Sequence, residues 1–157
     1  MNPTRTPAQV LDQLVTAVNA HDIDGLLDCF AQDYALTDPV HPARSFDGSV
    51  QVRRNWTTMF AAVPDVRLDE QHRAVTDTGF WLEAAQVGSR RDGLRLEMQT
   101  VFIAEVARGR IARARMYAAP VEHGGPSIDA VFATMAGTVP SPPDAAVETG
   151  VPRDSRP

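Results

Sequence analysis

Apolar residues recur at helical spacing along the first third of the chain. Thr6-Pro7-Ala8-Gln9 has the form of a capping box with proline at the first helical position, and Leu11, Leu14, Val15 and Val18 follow on one face. Asn19-Ala20-His21-Asp22 breaks this helix, and Asp22 is placed to cap a second one whose face is Ile23, Leu26, Leu27 and Phe30. Tyr34 to Thr37 reads as a short strand, and Pro39 and Pro42 make the following segment a loop. A third helix is expected from near Ser49, with Val52, Trp56, Met59, Phe60 and Val63 on one face and Pro64 as its stop.

Beyond Pro64 the period changes to alternation. Strands are expected over 66–75, 80–88, 94–106 and 111–119, with turns at Asp77-Thr78-Gly79, Arg91-Asp92-Gly93 and Arg108-Gly109. In the long strand, Leu94, Leu96, Met98, Thr100, Phe102 and Ala104 share the face expected to meet the helices. Arg95, Glu97, Gln99, Val101, Ile103 and Glu105 share the other, where Val101 and Ile103 suggest a homodimer interface. Three helices before an antiparallel meander predict an α+β layer fold. After Pro120, Ile128, Val131, Phe132 and Met135 form a short amphipathic pattern, expected to be a helix docking on the domain or on a partner subunit. The predicted organisation is an arm over 1–6, a domain over 7–120, a helical extension over 121–137 and a disordered tail over 138–157. That tail holds Pro140, Pro142, Pro143, Pro152 and Pro157 and little apolar content.

A chain of 157 residues, 43% of them hydrophobic, suffices for one domain with a real core. Its net charge of −5 and lack of basic runs argue against a nucleic-acid partner. No apolar stretch approaches a membrane span, and a cytoplasmic location is expected. Cys29 stands alone on an apolar helix face, so it reads as a core residue rather than part of a disulfide or metal site. The histidines at 21, 41, 72 and 123 lack metal-ligand spacing, and no cofactor or metal is expected. All 15 basic residues are arginine, which rules out a lysine Schiff base and a P-loop lysine.

Two helices, an Asp-Pro strand end, a third helix and a long meander resemble the NTF2-like cone fold, in particular its ketosteroid isomerase and SnoaL-like polyketide cyclase group. The resemblance is carried by Val18-Asn19-Ala20-His21-Asp22-Ile23-Asp24-Gly25-Leu26, Phe30-Ala31-Gln32-Asp33, Thr37-Asp38-Pro39-Val40 and Arg108-Gly109-Arg110-Ile111. It covers roughly residues 8 to 120. It implies a cone of three helices on a curved, mostly antiparallel sheet around an apolar cavity. Isomerase members use an aspartate base, with a tyrosine and a protonated aspartic acid holding the enolate oxygen. Asp38 matches the base position. The tyrosine position falls on Leu14, and the acid position falls near Thr100 or Phe102, none of which can take those roles. Losing one oxyanion donor costs about 10²–10³ in rate, so a steroid isomerase of the usual kind is not expected.

The residues themselves leave several readings open. Asp38 is either a base of raised pKa against an apolar wall or a structural acceptor for loop amides. His41 can share a proton with it. Tyr34 alternates onto the side of Leu36 and Asp38 and can supply a phenolic donor. Trp56 offers a flat wall with one N–H. Leu14, Phe30, Phe60, Leu82, Met98, Thr100, Phe102 and Met116 are expected to line the cavity, whose mouth is expected near Asp38 and Trp56. The leading expectation is a cofactor-free isomerase or cyclase acting on an apolar polycyclic or polyketide-like substrate. The alternatives are a non-catalytic binding protein, an epoxide hydrolase using Arg95 and Glu97, or a protein-interaction role as in nuclear transport members.

Overall fold

The computed structural model describes residues 4–138. The chain divides into two compact units, residues 1–121 and 122–157. Most of the expected tail, from residue 139 on, and the first three residues of the expected arm lie outside the described residues.

The first unit carries three α-helices. Helix α1 spans Pro7–Asn19, and Thr6 and Gln9 close the capping box: the Thr6 hydroxyl accepts the Gln9 backbone N–H and the Gln9 side chain accepts that of Thr6. Helix α2, Ile23–Leu27, is a short segment whose N-cap Asp22 accepts the Gly25 N–H at 2.9 Å. Helix α3 spans Ser49–Ala62. Six strands follow the order β1 Phe30–Thr37, β2 Phe46–Asp47, β3 Arg67–Val75, β4 Gly79–Ser89, β5 Arg95–Ala107 and β6 Arg110–Pro120. They form one curved sheet in the order β2-β1-β6-β5-β4-β3, antiparallel except where β1 runs parallel to β6. This is the α+β architecture expected from the sequence. In the second unit, helix α4 spans Ile128–Met135, with Ser127 capping the Ala130 N–H.

Three details differ from expectation. Phe30 opens β1 instead of closing the second helix, because α2 ends at Leu27 and the Cys29 carbonyl already pairs with the Ile111 N–H of the sheet. Phe30 and Tyr34, four apart on β1, are both buried while Gln32 is exposed, and the pairing with β6 is irregular between Phe30 and Ala35. Strand β2, two residues long, was not visible as a pattern and is made by pairing with Ala35 and Leu36. Leu94 sits in the β4–β5 turn and is exposed, since β5 begins one residue later.

The core gathers Val10, Leu11, Leu14 and Val18 of α1, Leu26, Cys29, Phe80 and Ile111. Burial pushes the Cys29 thiol up to about 11, as befits a core residue. The inner face of β4–β5–β6 is ordered in cross-strand rows that set the depth of the fold. Phe80, Ala104 and Ala114 form a fully buried row. The next rows are Leu82–Phe102–Met116, then Ala84–Thr100–Ala118, then Gln86–Met98–Pro120, where burial falls away.

Candidate functional site

Between the helices and these rows lies a cavity of about 330 Å³. Leu14 and Val18 of α1, Phe30, Tyr34 and Leu36 of β1, and Val52, Trp56 and Met59 of α3 form one side. Leu82, Ala84, Met98, Thr100, Phe102 and Met116 form the sheet side. Strand alternation explains the sheet side, and the i, i+4 and i+7 spacing of α3 explains Val52, Trp56 and Met59.

Tyr34 is the least exposed polar residue of the lining. It is 2% exposed, and its ring meets Phe30 edge-on at 4.8 Å and Phe46 edge-on at 5.9 Å. Its hydroxyl has no hydrogen-bond partner among the described residues, and burial alone pushes its pKa up, so it stays a neutral donor. Thr100 is also buried, and its hydroxyl oxygen is unpaired. Three polar side chains not singled out from the sequence complete the lining: Arg44, Asn55 and Gln86. Asn55 lies three residues beyond Val52, and Gln86 alternates with Leu82 and Ala84, so both positions were legible in the periodicity. Arg44 carries no such signal, because it sits in a single 3₁₀ turn, Pro42–Arg44.

Three expected site residues lie elsewhere. Phe60 turns toward α1 and stacks on His21 at 4.6 Å. The His21 ring is fixed by its Nε2–H donating to the Val66 carbonyl at 2.7 Å. His41 lines a second, more open depression with Gln71, Glu83, Gln99 and Tyr117. Asp38 is 3% exposed but is not part of the cavity lining. Its Oδ1 accepts the backbone N–H of Val40 at 3.0 Å and of His41 at 2.8 Å, and its own N–H donates to the Ser45 hydroxyl at 3.0 Å. Of the two readings open for Asp38, the structure has the acceptor of loop amides, and the raised pKa of the other is corrected to a lowered one. The His41 amide bond, with help from the Val40 amide and the charges of His41 and Arg44, outweighs desolvation and lowers it. The Oδ2 atom remains 3.6 Å from His41 Nδ1.

Arg95 and Glu97 pair with each other at 3.5 Å, and neither lines the cavity. The described residues contain no cluster of histidine, cysteine or carboxylate side chains able to hold a metal. No described helix is long and apolar enough to cross a membrane.

The family model for the SnoaL-like domain matches residues 11–114, which hold the described cavity lining apart from Met116 and Ala118. The chain belongs to the SnoaL-like family. With it comes membership of the NTF2-like superfamily, in agreement with the helix-on-curved-sheet architecture. Solved structures of the same fold include IdmH of Streptomyces antibioticus, a proposed polyketide cyclase, at 20% identity and a TM-score of 0.62, covering 71% of this chain and 91% of that one. SalBIII, an epoxide hydrolase/cyclase-like enzyme of pyran ring formation in the polyether salinomycin, matches at 16% identity and 0.62, covering 72% and 90%. A hypothetical protein of ketosteroid isomerase-like fold from Catenulispora acidiphila matches at 14% and 0.61, covering 71% and 86%. At such identities these likenesses speak for the fold alone. No curated protein sequence matches this SnoaL-like chain.

Proposed function

We propose that this SnoaL-like protein takes an apolar polycyclic or polyketide-like molecule into the cavity and acts on it as a cofactor-free isomerase or cyclase, by proton transfer beside a carbonyl. The observation that carries this reading is Tyr34: a neutral phenol without a partner among the described residues, held by Phe30 and Phe46 in a mostly apolar cavity. A phenol there can donate to a carbonyl oxygen as it gains charge, in place of the donor that Leu14 cannot supply. The proton acceptor is the Asp38–His41 pair. Asp38 stays ionised because its pKa is lowered, so it serves better as the partner of an imidazolium than as the base itself. His41 lines the outer-face depression with Gln99 and Tyr117 rather than the cavity, so its part in the relay runs through Oδ2 of Asp38, on the loop whose Arg44 borders the cavity.

A test that needs no natural substrate is deuterium exchange at the acidic carbon of 2-tetralone in D₂O, followed by NMR. The protein should accelerate exchange over buffer, with Tyr34→Phe and His41→Ala each losing most of the acceleration. A second reading, a binding protein without chemistry, is favoured by the position of Asp38 and His41 outside the lining. It wins if 2-tetralone binds in the cavity and exchanges no faster than in buffer. An epoxide hydrolase route through Arg95 and Glu97 has no support from their placement.

A homodimer through the outer sheet face is part of the proposal. Trp81, opposite Ile103, is 53% exposed there, and Tyr117, opposite Val101, is also exposed. Sedimentation of Trp81→Arg beside the wild type tests it: a dimer should become a monomer, and equal masses rule the face out.

A further inference from the structure

The cavity's charge pattern narrows the class of molecule it takes. Among the described lining residues Arg44 is the only charged one, and no carboxylate accompanies it there. This is notable in a chain of net charge −5. The other polar lining side chains are Tyr34, Asn55, Gln86 and Thr100, so every polar side chain facing the cavity can donate a hydrogen bond. Arg44 itself makes no hydrogen bond or ion pair with a side chain among the described residues. Its influence on Asp38 is electrostatic only, and the Asp38 Oδ1 is already taken by two backbone amides.

The rows of the sheet suggest where such a ligand would lie. The apolar rows of Phe80 and Leu82 close the deep end, and Gln86 and Met98 mark the row where burial falls away. Arg44 is exposed, and Asn55 is exposed on α3. Exposure at Arg44, Asn55 and the Gln86 row marks the mouth, whereas Tyr34 is buried within. The Thr100 hydroxyl lies between, and a rotation about χ1 would present it to a polar atom of the ligand at little cost, since it loses no partner.

Resting on the small-molecule reading above, we infer that the cavity selects an apolar ring system bearing an anionic group, a carboxylate or an equivalent acidic oxygen, with Arg44 as its counter-charge at the mouth. The apolar body fills the space between α1, α3 and the sheet. Its far carbonyl or hydroxyl oxygen meets Tyr34, and the anion stays near water beside Arg44. Such a molecule is an aromatic or polyketide acid rather than its ester or amide. Where the anion is a carboxylate, the reaction that supplies it is one that releases a free acid, such as hydrolysis of an ester or thioester.

The experiment compares 2-naphthoate with 2-naphthamide, which share a shape and differ in charge. Binding to the full chain is followed by backbone NMR shifts of Trp56, Leu82 and Thr100. Naphthoate should bind more tightly than the amide. Arg44→Gln, an exposed change that leaves the core untouched, should weaken naphthoate about 5- to 10-fold and leave the amide within about 2-fold. Added salt should shrink the difference in the wild type. If both ligands bind in the cavity and Arg44→Gln affects them equally, the anion preference is overturned and the cavity reading stands. If neither perturbs the cavity residues, both readings fall.

Discussion

The Oδ1 atom of Asp38 accepts the backbone N–H of His41 at 2.8 Å, while Oδ2 lies 3.6 Å from the ring nitrogen of the same histidine. One carboxylate thus folds the loop after β1 and faces its imidazole. Its folded pKa lies below the ordinary 3.8, so its stabilising effect is present above that value and lost as pH falls through the folded one. Asp38→Asn should be less stable than the wild type near about pH 6, with the gap closing near about pH 2. Asp28 and Asp65 are lowered too and act in the same direction in both proteins, so the comparison isolates Asp38. Urea unfolding at the two pH values is the measurement, and a gap that does not change with pH would contradict the assignment.

Thr100 stores a cost that a ligand can relieve. Its buried hydroxyl oxygen has no partner, and Thr100→Val keeps the β-branched shape while removing it. The variant should unfold at higher denaturant, with a gain of about 1 kcal/mol. It should also bind carbonyl-bearing ligands such as 2-tetralone more weakly. A loss of stability would show that the hydroxyl is satisfied in solution.

Gly79 is required by a backbone approach. A β-carbon there would lie 2.0 Å from the Ala104 carbonyl oxygen on the neighbouring strand, where nothing flexible can yield. Gly79→Ala should cost roughly 1–3 kcal/mol by forcing β4 and β5 apart at the closed end of the sheet. Thermal unfolding followed by circular dichroism reads this directly, and an unchanged midpoint would argue against so tight a pairing.

Cys29 should be inert while the protein is folded. It is fully buried, and its thiol is pushed up to about 11, so few thiolates exist near neutral pH and none is accessible. Reaction with a chromogenic disulfide should proceed at the rate of unfolding in native buffer and become rapid in denaturant. Prompt labelling of the native chain would mean that the α2–β1 junction opens locally.

Much of the architecture was legible because it is written in local periodicity. The Thr6–Gln9 capping box, the Asp22 cap, Pro64 after α3 and the alternation along β4, β5 and β6 each impose one backbone solution at short range. Alternation alone also put Leu82, Met98, Thr100 and Phe102 on the face that lines the cavity. Phe30 was read onto the second helix because its spacing from Leu26 and Leu27 is helical, whereas α2 ends at Leu27 and Phe30 opens β1. Strand β2 was missed because two residues carry no period.

What the sequence determined by itself was the set of elements, their apolar faces and the family resemblance, since these follow from spacing and from motifs a few residues long. Where Asp38, His41 and Arg44 point was decided only by the tertiary structure. A loop of two prolines and one 3₁₀ turn has no repeat to read; the capture of the Asp38 carboxylate by the Val40 and His41 amides is local and was one of two readings open from the sequence, and the folded loop decided between them. That capture lowers the pKa that an apolar wall would have raised. The cavity's positive charge was equally hidden, because Arg44 sits in the loop that joins β1 to β2 and reaches the lining only through the fold of that loop.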